Sequence, residues 1–386
     1  MNMKRIMLLS AVSAFVLCGA AACGQKPAPP SKGSRTGFAL SFFKNADSVY
    51  GPKRNMIVSP YSAGVVMSML LEGAEGETRA EFDNALNGCL FMAEEFGTGD
   101  TVVIKSANSV WIDNDFSVRN RYVSLMQKDY KALVTTLDFA DPATLRAIND
   151  WSAENTDGKI REIFSSLSPQ MVMVLADALY FKAPWFSPFN PSLTQKAVFH
   201  GVSSDSEVSM MYRKGHFPYG EYQGCQMIGL PYEGGRYSMY VVLPPKGVTV
   251  ESMLPYIDEN VYDMAMKSMT PAEVKLRLPK MKLESSAMLN DVLKKMGVVT
   301  AFSSAADFKG ISAMGPLRLD QVSQKCYMEV TESGTEAAAV TTAAISLTSV
   351  RPDHTVKVMT VDRPFMFFIN DDETGNILFA GKVVNL

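Results

Sequence analysis

Three histidines make up the imidazole complement of this chain, and His200, His216 and His354 stand in no spacing that would ligate a metal. Leaving aside Cys18 and Cys23 in an N-terminal apolar segment, three cysteines remain, Cys89, Cys225 and Cys326. They are odd in number, widely spaced and without a CxxC pair, which suits small buried apolar residues better than a disulfide framework or a zinc site. There is no GxSxG, Walker loop, HExxH or GxGxxG. The scattered Asp, Glu and Ser residues read as surface and capping groups, and the 25 methionines, placed singly in apolar segments, read as core filling. Nothing in these residues demands an enzyme, a metal or a cofactor.

One stretch is unusual for how little chemistry it carries. Between strand-like ends at Met328 and Ile369, residues Gly334 to Ala344 are Ala, Thr and Val with a single charge. Read as a strand, the run would put Thr335, Ala337, Ala339, Thr341 and Ala343 on one face. Glu336, Ala338, Val340, Thr342 and Ala344 would lie on the other. Such side chains could enter between existing strands without overfilling a core, and Gly334 would supply the backbone freedom to swing. By pattern alone an Ala-rich helix or an exposed loop suits the run equally well.

The surrounding chain must position that stretch. With 386 residues, 47% of them hydrophobic and 20% charged, it is long enough for a large core, and a formal net charge of -3 disfavours nucleic acid as a partner. Lys4 and Arg5, an apolar run from Ile6 to Leu17, and Ala20, Ala21 and Ala22 before Cys23 resemble a bacterial lipoprotein signal. That resemblance implies a signal peptide over 1–22, a lipid on Cys23 that holds the protein to a membrane, and a location in the bacterial cell envelope, at the outer membrane facing the periplasm or the cell exterior. Plain secretion and an uncleaved anchor are the alternatives. Ala20 departs from the usual Leu. Residues 23–36 read as a flexible tether and 37–386 as one domain.

Within that domain the elements are mixed. "SPYSAGVVMSMLLEGAEGETRAEFDNAL" and "DPATLRAINDWSAENTDGKI" predict helices opened by Ser-Pro and Asp-Pro, and "SSAMLNDVLKKMGVVTAF" predicts an amphipathic helix through Met288, Leu289, Val292, Leu293 and Met296. "MVMVLADALYFKAPW" predicts a strand buried on both faces; "YSMYVVLPP" and "EVKLRLPKMKLES" predict further strands. The tail "PFMFFINDDETGNILFAGKVV" predicts two strands around a turn at Asp371 to Gly375. The fold class expected is α+β.

The blocks "NMIVSPYSAGVVMSMLLEGAEGETRAE", "ANSVWID", "INDWSAENTDGKI", "ALYFKAPWFSPF", "LPYEGGRYSMYVVLPP", "LRLPKMKLES", "MGVVTAF", "VTESGTEAAAVTT" and "RPFMFFI" occur in this order. Together they resemble the serpin family, from about Gly37 to Leu386. The resemblance implies a single domain with three β-sheets, surrounding helices and an exposed reactive-centre loop. It implies a monomer that inhibits a serine protease, or a cysteine protease, through a covalent complex: the protease cuts the loop, and the cut loop enters the central sheet as a new strand. No catalytic group of the inhibitor is needed. A non-inhibitory serpin serving as a binding or chaperone-like module is the alternative.

The resemblance also assigns residues. Glu332, Gly334, Thr335, Glu336, Ala337, Ala338 and Ala339 match the hinge of inhibitory members. Loop length places the scissile bond at Thr348-Ser349, with Leu347-Thr348 and Val350-Arg351 as alternatives. Pro352 after Arg351 disfavours trypsin-like enzymes, so elastase-, subtilisin- or chymotrypsin-like targets are expected. Ser59 and Ser62 match the region where the central sheet opens, with Asp177 where Asn is usual and Gln324 where His is common. Trp185 matches the top of that sheet, where the loop enters.

Overall fold

The structure, a computed structural model, describes residues 33–93, 102–314, 317–335 and 356–386. Its first helix, Arg35–Tyr50, is capped by Ser34, whose side chain accepts from the Gly37 amide, and it buries Phe38, Phe42, Phe43 and Ala46. A second helix, Pro60–Gly73, begins at Ser59, whose hydroxyl accepts from the Ser62 amide. Proline in its first turn is preset for helix, and an apolar surface on nearly every side places this helix inside the molecule. The helix suggested for residues 59–86 is in fact two, because the chain turns at Ala74 and Glu75 and resumes as Gly76–Ala85.

Among the described residues six strands form one sheet, in the order Met281–Met288, Gln321–Val330, Gly334–Thr335, Met173–Pro184, Val103–Asp113 and Leu133–Leu137. The strand Met173–Pro184 is buried on both faces, as its continuous apolar run predicts. Met173, Leu175, Leu179 and Phe181 enter the main core, while Val174, Ala176 and Ala178 face a smaller cluster with Ile160, Ile163 and Phe164. Ile148 of the helix Pro142–Asn155 closes that cluster.

Nine strands among the described residues form the second sheet, and its long member Asp205–Tyr222 joins two portions. Residues Asp205 to Met210 pair with the strand Gln195–His200, and residues Tyr219 to Tyr222 pair with the strand Cys225–Pro231. The three-sheet architecture is thus present with two of its sheets continuous through one strand.

Two boundaries differ from the sequence reading. Residues 285–288, expected to begin a helix, end the strand Met281–Met288, and the helix is only Asn290–Lys295. Pairing of Ser285 to Met288 with Cys326 to Ser323 outweighs the helical spacing of the apolar residues. The strand expected over "EVKLRLPKMKLES" is two, Thr270–Pro279 in the nine-stranded sheet and Met281–Met288 in the six-stranded one, with Lys280 at the junction.

Candidate functional site

The strands Met173–Pro184 and Gln321–Val330 run parallel, and from Val174 to Tyr180 they pair directly with residues 321–327. At the far end they part. There Thr335 pairs with Val330 on one side and Ala183 on the other, antiparallel to both. The offset is the same in both places: 321 − 174 = 147 at the paired end and 330 − 183 = 147 around Thr335. The two strands therefore keep one register whether or not a strand lies between them.

Aromatic packing and backbone hydrogen bonds hold the parted end. Thr335 is fully buried, and its Oγ1 shares a 2.7 Å hydrogen bond with the Tyr232 hydroxyl. The Tyr232 ring stacks on Trp185 at 4.6 Å between centroids and meets the edge of Phe181 at 5.0 Å. Trp185 donates its indole N–H to the Thr331 carbonyl at 3.0 Å and its amide to the Ser333 carbonyl at 3.0 Å. Gly334 is required by close approach: its φ is 153°, and a Cβ there would strike the Ala183 carbonyl oxygen and the Pro184 backbone.

Glu332 anchors the chain just before this point. One carboxylate oxygen accepts from Thr194 at 2.8 Å and the other pairs with Lys280 Nζ at 2.8 Å, while its carbonyl accepts from the Phe189 amide at 2.8 Å. Burial pushes the Glu332 carboxyl up, but hydrogen bonds from Lys280, its own backbone amide and Thr194 outweigh that and hold it below its ordinary value.

Where the strands still touch, the seam is polar. Gln324 lies opposite Asp177 and donates to its Oδ2 at 2.8 Å. The same amide group donates to the Ser59 carbonyl at 3.0 Å, and its oxygen accepts from the Ser59 amide at 2.9 Å. Ser62 donates its hydroxyl to Asp177 Oδ1, and Ser59 donates its hydroxyl to the Leu378 carbonyl at 2.7 Å. All four side chains are buried.

The structure thus gathers Ser59, Ser62, Asp177 and Gln324 at the seam, and Trp185, Glu332, Gly334 and Thr335 at the parted end. Glu336, Ala337, Ala338, Ala339, Leu347, Thr348, Ser349, Val350, Arg351 and Cys23 lie outside the described residues. Tyr232, Lys280 and Thr194 carry no sequence signal of their own. Tyr232 and Lys280 lie inside the blocks "LPYEGGRYSMYVVLPP" and "LRLPKMKLES", yet no local pattern marks a partner about a hundred residues away for Tyr232 or about fifty for Lys280.

Comparison with known proteins agrees with this geometry. Residues 34–386 match the family model described as serpin (serine protease inhibitor). An uncharacterized serpin-like protein of Thermococcus kodakarensis is 35% identical over 87% of this chain and 82% of its own length. The leukocyte elastase inhibitor of Sus scrofa is 32% identical over 91% of this chain and 98% of its own. The native crystal structure of the thermophilic serpin tengpin superposes with a TM-score of 0.82 at 26% identity, over 94% of this chain and 98% of that one. The chain belongs to the serpin family.

Burial pushes the Asp177 carboxyl up to about 6 from 3.8, against the lowering effect of the Ser62 and Gln324 hydrogen bonds. The native protein therefore binds this proton more tightly than the unfolded chain does. The stabilisation is complete below about pH 4 and is lost as pH rises through about 6, a difference of ~3 kcal/mol. Asp177→Asn removes the charge and keeps the shape. We expect the variant to melt at a higher temperature than the wild type at neutral pH, with the gap closing in acid; a gap that is constant with pH would refute the assignment.

Proposed function

We propose that this serpin is a suicide-substrate inhibitor of an elastase-, subtilisin- or chymotrypsin-like serine protease, or of a cysteine protease with similar preference. The observation that carries this reading is Thr335, already seated between two strands whose common offset requires no sliding for further residues to follow. Continued in that register, residues 336–344 would meet 182–174 on one side and 329–321 on the other, with Thr341 between Asp177 and Gln324. The small side chains of the run suit such burial, since large ones would strain a packed core.

The protease would attack the Thr348 carbonyl, form an acyl bond and release the Ser349 amine. Insertion of the freed strand would then carry the acylated protease away before water completes hydrolysis. The driving force is the difference between a native fold held short of its most stable state and the fully inserted sheet. The similarity to the leukocyte elastase inhibitor of Sus scrofa supports an elastase-like target.

The test is a denaturing gel of the purified chain mixed with elastase, subtilisin, chymotrypsin and trypsin. A covalent band near the summed masses with one of the first three is expected, and the mass of the released C-terminal peptide locates the bond. Ala339→Arg should abolish the band and leave only cleavage, because in the continued register that guanidinium would be buried unpaired between Leu179 and Cys326, at a cost of at least ~3 kcal/mol. A stable complex formed by that variant would contradict insertion. We also propose that Cys23 carries a lipid at a bacterial envelope. The lipoprotein-like signal supports this, and Cys23→Ser should move the protein from the membrane to the soluble fraction; unchanged membrane association would rule it out.

A further inference from the structure

On one face of the six-stranded sheet, three polar side chains stand in line across three strands. Asn108 is opposite Asp177, and Asp177 is opposite Gln324. All three are buried and lie on the core side, for their neighbours in the alternation, Val110, Leu175 and Val322, belong to the main core. Strand separation for loop entry must pull Gln324 away from Asp177.

We propose that the row Asn108–Asp177–Gln324 is a proton-operated latch on this seam, closed while Asp177 is a carboxylate and released when it is a carboxylic acid. The proposal rests on the insertion reading of the function.

Two observations on the row itself support it. First, Asp177 has no counter-charge among the described residues. The helix Pro60–Gly73 and its cap present Ser59 and Ser62, the strand Val103–Asp113 presents Asn108, and the strand Gln321–Val330 presents Gln324 and Cys326. Of these only Cys326 titrates, and burial, then Asp177 itself, push its thiol well above the ordinary range. No ion pair to Asp177 is formed among the described residues.

Second, Asn108 Oδ1 is buried without a hydrogen-bond partner among the described residues, while its Nδ2 reaches Ser106 Oγ only at 3.5 Å. The Asp177 oxygens accept from Ser62 and Gln324, and an ionised carboxylate has no proton to donate to Asn108 Oδ1. A carboxylic acid can donate. Proton uptake from solvent replaces the charge-assisted bond to Gln324 with a weaker neutral one and gives Asn108 the donor it lacks.

The direction follows from which face the row occupies. Asp177 points beneath the helix, so parting the strands removes the Gln324 donor without bringing bulk water to the carboxylate. An anion left that way is costlier than an acid, and protonation therefore eases opening.

The experiment follows incorporation of a synthetic peptide with the sequence of residues 336–348 into the intact protein, by native gel, as a function of pH. The peptide removes the pH dependence of any protease from the readout. We expect wild-type incorporation to accelerate about tenfold from about pH 7.5 to about pH 5, with a nearly flat profile for Asp177→Asn. Asn108→Ala, which removes the waiting acceptor, should shift the wild-type midpoint to lower pH. Equal pH profiles in wild type and Asp177→Asn, or slower wild-type incorporation in acid, would overturn the latch. A peptide that enters at no pH in any variant would overturn the insertion reading itself, and the latch with it.

Discussion

Two parallel strands that share one register while standing apart at one end are the constraint on which this molecule turns. Parallel pairing is slightly less stable per residue than antiparallel pairing, and between Met173–Pro184 and Gln321–Val330 it is also incomplete, because Gly334 and Thr335 occupy the parted end. A strand continued between them would exchange one parallel ladder for two antiparallel ones, forming roughly ten more backbone hydrogen bonds than it breaks, at ~1 kcal/mol each. If the chain inhibits as proposed, the free energy that drives inhibition would reside in ordinary sheet pairing between these two strands.

The two ends of the seam restrain that exchange by different means. At the parted end Tyr232, Trp185 and Phe181 make an aromatic wall on which Thr335 is fixed, while Glu332 is tied to Lys280 and Thr194. Farther down, buried serines, a carboxylate and a carboxamide bridge the strands to the helix Pro60–Gly73. A fully apolar seam would close more tightly and resist opening. Hydrogen bonds across a seam can be exchanged for others when a new strand arrives, whereas interdigitated apolar side chains would have to be unpacked.

Much of this was legible in the sequence, for identifiable reasons. The continuous apolar run of Met173–Pro184 can be buried only on both faces, and Ser59 followed by Pro60 is a helix start whatever surrounds it. The small residues after Gly334 suit burial, but by local pattern alone strand, helix and loop are equally compatible with them. What local pattern does not show is pairing over distance. Residues 285–288 have helical spacing yet are claimed by the neighbouring strand, and Lys280 looks like a mid-strand lysine until two sheets are seen to meet there. Asn108 lies in the block "ANSVWID", where nothing marks it as a neighbour of Asp177.

The measurement that bears most directly on the unfinished sheet is the melting temperature of the chain before and after a single cut in the loop by a protease that is not inhibited. If the loop completes the sheet, the cleaved protein should melt higher by more than about 10 °C, since each kcal/mol is worth a few degrees in a domain of this size. A cleaved protein that melts at the same temperature or lower would mean that the strands do not admit the loop and that the native fold stores no free energy for inhibition.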